Sequence, residues 1–484
     1  MTGACSSHHV SAPAGGLPAG GSYTGPAITG TPNPLGAKWA WSRLDAFVPY
    51  LRTMSGGATF YEFSWCDVEK TPGQPDWSTV DGVAKSTRAL GYSLYLKIRV
   101  GSCWATGAGG ATPAAGATAA DRRAARRAAR RAARQAGTAM PTDMSAYQAF
   151  VRSVVQRYSP LGVHEYAIEN EVNAPGHWLG TVDDYVRLVT AGAQAIHQAD
   201  PSAMVVDGGM GSTTYGTAIA QGLLDAGDVN GALQEYQQYY ARRFTLRQAE
   251  LPAANDADQL RTALAGDQVL RNRSYLDATF ELAQRGVINV FQLHYYEGWD
   301  QAAGVLRFIR AHIPSAMPVQ AWEVGQFWPD APSDPAVHAE ETAKVVAELL
   351  AGGATRIIWL PLAYNPAGRN ASELRFGLLD PNGTVRPSGT ALAAIRAAAA
   401  TGAQFRAVSR PGLAGLAISE GSRTTAVVWS DGKVVLAPVT DARATDLLGH
   451  ALGWSGPGLT VTGHPVVVSL PGGSDAARAV LGAG

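Results

Sequence analysis

The sequence predicts an α/β chain: a (β/α)8 TIM barrel followed by a small antiparallel β-sandwich. Short β-rich runs alternate with helical stretches from about Leu35 to Ala400, and the strands among them come to eight. Strands separated by helices pair in parallel, and eight such units over this length close into a barrel. After Ala400 the pattern becomes short runs of Val, Leu, Ile and Thr divided by Gly, Asp and Ser, the pattern of antiparallel sheet.

The elements follow in order. Residues 1–33 are rich in Ser, Pro, Gly and Ala and read as a tail or linker. The barrel is expected over 34–400, opening with a strand near Ala37 to Trp41. The second strand, from Ala58 to Trp65, is marked by its aromatics. Asp76-Trp77-Ser78 opens a helix that stops at Gly91, and Ser93 to Val100 is the third strand. Later strand-bearing runs are expected at Ala167–Asn173, Met204–Gly209, Val290–Tyr296, Val319–Gly325 and Arg356–Leu360. Two insertions interrupt the repeat, near 108–142 and 217–273. The first carries paired arginines from Arg122 to Arg131, whose like charges repel at i, i+4, so it reads as a solvated or partly disordered insertion, the alternative being a basic helix that grips an anionic polymer or membrane. The second reads as helical, forming a wall or lid over the cleft. Residues 401–484 form the accessory β-sandwich, expected to pack against the barrel.

Composition bounds the function. With 484 residues, 46% hydrophobic, 16% charged and no net charge, the chain has no global pull toward nucleic acid or membrane. No apolar run approaches the ~20 residues of a membrane helix. The three cysteines have no zinc-site spacing. Cys66 and Cys103 follow consecutive strands, so they are either a disulfide or two neighbouring thiols. Thr2 to Ser7 resembles the end of a bacterial lipoprotein signal, with Cys5 as the residue for a lipid anchor. That reading places the protein outside the cell or on its surface.

Two carboxylates stand out. Glu171 lies in Ala167-Ile168-Glu169-Asn170-Glu171, and Glu323 in Val319-Gln320-Ala321-Trp322-Glu323. Barrel active sites are built at the C-terminal ends of the strands. These two would end the fourth and seventh strands and meet in one cleft, as an acid/base and nucleophile pair.

In this set of residues the chain resembles clan A glycoside hydrolases, closest to family 39 and its relatives. The likeness covers most of 35–400. It includes Trp65 to Gly73 with Asp76-Trp77-Ser78 and Asp81, then Asn170-Glu171 with Asn173 and Trp178. It continues through His294-Tyr295-Tyr296, the Glu323 strand, Trp359, and Phe376 to Ser388. The resemblance implies a retaining glycosidase acting on a β-linked glycoside or polysaccharide, without metal or organic cofactor. It makes Glu171 the acid/base, with a carboxyl raised so that it is protonated at neutral pH, and Glu323 the ionised nucleophile. It implies that Asn170 contacts the sugar 2-hydroxyl and that His294 lines the same wall. Either Tyr295 or Tyr296 would hold the nucleophile. Trp359 would form the floor under the sugar, with Trp65 and Trp178 among the further aromatics of the cleft. Trp39, Trp41, Trp104, Trp299 and Trp328 also fall near strand ends.

One departure stands beside the likeness. Many clan members carry an Arg on the second strand that supports the nucleophile; here the strand reads Phe60-Tyr61-Glu62. Lys38 and Arg99 are the candidates to replace it, and Glu62 either binds a substrate hydroxyl or pairs with a base. The rival readings are a carbohydrate-binding protein on a decayed barrel and a surface-tethered structural module. Both glutamates argue against the first, and only the Cys5 segment supports the second.

Overall fold

The computed structural model describes residues 33–106, 137–247, 251–326, 334–363, 376–399, 403–408 and 410–482. The Cys5 segment, the arginine repeat and Trp328 lie outside them.

The chain folds as a (β/α)8 barrel followed by an antiparallel sheet. The barrel strands are β1 Leu35–Ala37, β2 Ala58–Ser64, β3 Ser93–Arg99, β4 Glu165–Ile168, β5 Met204–Val206, β6 Phe291–Tyr295, β7 Val319–Val324 and β8 Ala354–Trp359. They pair in parallel in the orders β2-β3-β4-β5 and β6-β7-β8-β1. A Val206–Val290 bridge joins β5 to β6.

Two apolar layers follow from the two-residue strand period. Ala58, Phe60, Tyr95, Ala167, Val206, Val290, Trp322 and Ile358 fill the barrel interior. Residues of opposite parity, such as Leu94, Leu96, Ile98 and Ile357, meet the surrounding helices. Helix Val182–Ala199 illustrates the match. Thr181 and Asp184 form a capping box at its start, and Tyr185, Leu188, Val189, Gly192 and Ile196 make its buried face.

Between β5 and β6 the chain adds helices Ser212–Asp225, Val229–Arg247, Ala257–Leu264 and Asp267–Gln284. The segment expected to be helical is therefore a helical layer, and its last helix touches the site from the side. No helix among the described residues is long and apolar enough to cross a membrane.

The C-terminal part is a six-stranded antiparallel sheet with a two-stranded ribbon. Alternation divides the sheet's faces. Leu416, Ile418, Val427 and Trp429 join the barrel core, while Ala417, Ala426, Val428 and Val468 pack under the ribbon and helix Ser474–Leu481. Trp299 meets Trp429 edge-on at 5.4 Å across this junction.

Candidate active site

Glu171 reaches the barrel mouth because β4 stops at Ile168 and the chain turns sharply. Glu169 and Glu171 both have left-handed backbones, φ 66° and 44°, conformations that cost an ordinary residue about 1–2 kcal/mol and need support. Glu169 is buried, accepting from Val100 N–H at 2.7 Å and facing Arg99 at 3.4 Å. Glu171 is nearly closed off too, and Glu171 N–H bonds the Gly208 carbonyl.

Glu323 arrives by a different device. β7 carries a bulge: Ala321 pairs with Leu293, but the next pair is Glu323 with His294, so Trp322 is an extra residue. A regular strand would send these consecutive side chains to opposite faces. The bulge lets both turn inward. Trp322 stacks on Tyr95 at 4.9 Å in the interior layer. Glu323 enters a buried polar network above it.

Lys97, on β3, is the hub of that network. Its ammonium donates to Glu323 Oε1 and Asn170 Oδ1, both at 2.7 Å, and lies 3.2 Å from His294 Nε2. An ammonium has three hydrogens and no acceptor, so these contacts exhaust it and Nε2 must accept. The proton of neutral His294 then sits on Nδ1, which donates to Glu171 Oε1 at 2.8 Å and lies 3.6 Å from Glu323 Oε2. His177 Nδ1 stands 3.4 Å from Glu171 Oε2. Tyr296 OH donates to Glu323 Oε2 at 2.7 Å. Gly209 clears space for the imidazole: its φ is +69°, and a Cβ there would stand 2.4 Å from His294 Nε2.

Burial pushes both carboxyls up, but the groups around them outweigh it. His294, His177 and Lys97 hold Glu171 low, and His294 and Lys97 hold Glu323 low despite the opposing charge of Glu171. The expectation of a raised, protonated Glu171 is thus corrected, because a donor, not an apolar wall, faces its oxygen. Glu171, His294 and Glu323 each place one ligand atom within 4.8 Å of the others, a spacing a divalent cation could use. With Nε2 accepting from Lys97, the Nδ1 that faces both carboxylates carries the proton and offers no lone pair, so this donor set does not fit a metal.

The choice between tyrosines is decided by strand parity. Tyr296 faces Glu323, while Tyr295 turns away and donates to the Gly298 carbonyl. Glu62 pairs with Arg99 at 3.0 Å. Lys38 and Arg99 do not take the place of the absent Arg. Lys38 donates to the Phe60 carbonyl at 2.5 Å, and burial lowers its amine to about 7. Arg99 is spent on Glu62, Glu169, Thr138 and the His177 carbonyl. The sequence reading missed Lys97 and His177. A lysine inside an otherwise apolar strand was the available signal for Lys97.

The tryptophans are placed differently from expectation. Trp65 stacks on Phe150 at 5.4 Å and donates to Glu69, so it is core beneath the β2 loop. Trp178 is buried, with its indole N–H on the Thr181 carbonyl. Trp359 is also buried: Ile358 belongs to the interior layer, so the next residue turns to the helix-side core. These rings are held by apolar neighbours and present no open face. Cys66 and Cys103 form a disulfide tying the β2 and β3 loops.

The architecture has known counterparts. A family 39 glycoside hydrolase from Bacteroides cellulosilyticus WH2 superposes with TM-score 0.58 at 14% identity, over 91% of this chain and 81% of that one. This chain has a glycoside hydrolase fold. A GH39 β-xylosidase from Caulobacter crescentus follows at TM-score 0.51 and 14% identity, over 93% and 98%. The bifunctional glucanase-xylanase CelM2, from a metagenome library, gives 0.51 at 12%, over 92% and 98%. No protein-family model matches the chain, and no curated protein matches it in sequence.

Proposed function

We propose that this protein is a retaining glycoside hydrolase acting on a β-linked glycoside or polysaccharide. The observation that carries the reading is the pair Glu171 and Glu323, each with an oxygen within 4.8 Å of the other's and both touching His294. Retaining enzymes hold their carboxyls about 5–5.5 Å apart, inverting ones about 6.5–9.5 Å.

Glu323 attacks the anomeric carbon while the glycosidic C–O bond breaks and Glu171 gives a proton to the leaving oxygen. Water then attacks the glycosyl ester, Glu171 takes its proton, and Glu323 is released. Lys97 and Tyr296 hold Glu323 ionised and aimed. Because the donors around Glu171 keep it ionised beforehand, it takes up a proton from solvent before it serves as the acid, and the leaving oxygen then receives that proton. Asn170, fixed by Lys97, stands beside Glu171 for the sugar 2-hydroxyl. The similar folds of a β-xylosidase and a glucanase-xylanase make xylosides, xylans and glucans the first substrates to try. The Cys66–Cys103 disulfide and the Cys5 segment support an exported or surface location.

The test is a panel of aryl β-glycosides and β-linked polysaccharides, with the first-formed anomer read by NMR. Net retention is expected. Net inversion, or no turnover of any member, overturns the reading.

A further inference from the structure

The last helix of the β5–β6 insertion, Asp267–Gln284, does more than wall the cleft. Gln268, Arg271, Asn272 and Tyr275 are spaced i, i+3, i+4, i+7 and so share one helix face. Every one of them bonds the loop that follows Glu171. Arg271 Nε donates to the Asn173 carbonyl at 2.9 Å, and its Nη2 to the carbonyls of Val172 at 3.1 Å and Trp178 at 3.0 Å. Gln268 donates to the Asn173 carbonyl and to Asn272 Oδ1. Asn272 Oδ1 also receives the Asn173 amide at 2.9 Å. Tyr275 lies under the guanidinium, 4.7 Å from it, and donates to the Gly180 carbonyl.

This clamp sits next to a strained residue. The left-handed Glu171 persists only where its surroundings over-determine it. A guanidinium is a rigid fork, so one Arg fixes three carbonyls in one relative geometry. We propose that this helix face is a positioning element for Glu171, with Arg271 at its centre, and that it sets the direction in which Glu171 delivers its proton to the leaving oxygen. The inference rests on the acid/base role proposed above. Arg271 bonds the loop's backbone, so it acts through Glu171 as a positioning residue.

The test is leaving-group dependence. Parent and Arg271→Met are compared on aryl β-glycosides of one sugar whose phenols span a wide range of acidity, with melting temperature measured for both. A well-activated phenolate leaves without protonation, so its kcat/KM should change less than threefold. A poor leaving group needs the acid, so its kcat/KM should fall tenfold or more. Arg271→Lys, with a single donor point in place of the fork, should fall in between. A uniform fall across the series, or no change, overturns the proposal, because lost stability alone is blind to the phenol. If Arg271→Met does not fold, Gln268→Ala and Asn272→Ala must show the same steepening in smaller degree, and a flat response in both overturns the proposal. An inert parent overturns the glycosidase reading and this inference with it. An active parent with an unsteepened variant overturns this inference alone.

Discussion

Lys97 Nζ lies 2.7 Å from Glu323 Oε1, and the two side chains are 0% and 3% exposed. Two charges taken so far out of water are costly unless each is fully bonded. Here they are: Lys97 spends its other hydrogens on Asn170 and His294, and Glu323 takes a second bond from Tyr296. Lys97 therefore sets a fixed positive charge beside Glu323 from the third barrel strand.

Lys97→Met should therefore raise the Glu323 carboxyl. Its low position is the balance of burial against His294 and Lys97, and removing the lysine leaves burial less opposed. In the proposed mechanism Glu323 acts ionised, so the acid limb of kcat/KM should move to higher pH. An unpaired buried carboxylate also costs about 3–5 kcal/mol, so the melting temperature should fall. An acid limb that stays in place would remove Lys97 from the nucleophile's electrostatics.

The two glutamates should respond in opposite ways. Glu323→Ala should lose nearly all turnover. Glu171→Ala should still be glycosylated by a well-activated aryl glycoside, and azide should then rescue it with retained configuration. The reverse pattern would exchange their roles.

Asp207 should make stability fall with pH. Burial pushes its carboxyl from 3.8 up to about 6, against the bonds it accepts from the Gln292 and Gly209 amides. Between those values the folded protein keeps a proton that the unfolded chain releases. The resulting stabilisation is full below about pH 4 and lost as pH rises through 6, about 3 kcal/mol in all. Asp207→Asn should flatten that part of the melting profile, recorded from pH 4 to 7. An unchanged slope would mean another group carries it.

Trp359→Ala should behave as a core deletion. The ring is 1% exposed, and emptying such a site costs about 3–5 kcal/mol. Thermal melts should show a large loss. A variant of parental stability but lowered kcat/KM would return the ring to the sugar-binding floor that the sequence suggested.

Removing the Cys66–Cys103 bridge by Cys66→Ser with Cys103→Ser should lower the melting temperature. The bonded residues are 37 apart in sequence, and closing a loop of that length is worth about 3–4 kcal/mol in the unfolded chain. Equal melting of parent and variant would show that packing alone holds the two loops.

The sequence by itself determined the barrel and the antiparallel sheet after it, and it singled out the two glutamates that the fold brings within 4.8 Å of each other. Each depends on local pattern: strand and helix periods, turn residues, and a carboxylate closing an apolar strand. The tertiary structure alone decided which tyrosine faces Glu323, which cation supports it, and where the tryptophans go. Those choices turn on strand parity, and parity is uncertain until the strand's start and its bulges are known. A one-residue shift reverses every side chain, and the extra residue at Trp322 is such a shift. Lys97 was visible as a charge within an apolar strand, yet its partners are 73, 197 and 226 residues away. Only closure of the barrel brings them together. Tryptophans near strand ends looked alike in sequence whether they faced sugar or core, because an aromatic ring suits both surroundings. What separates them is the packing of distant helices such as Met144–Tyr158, whose Phe150 covers Trp65.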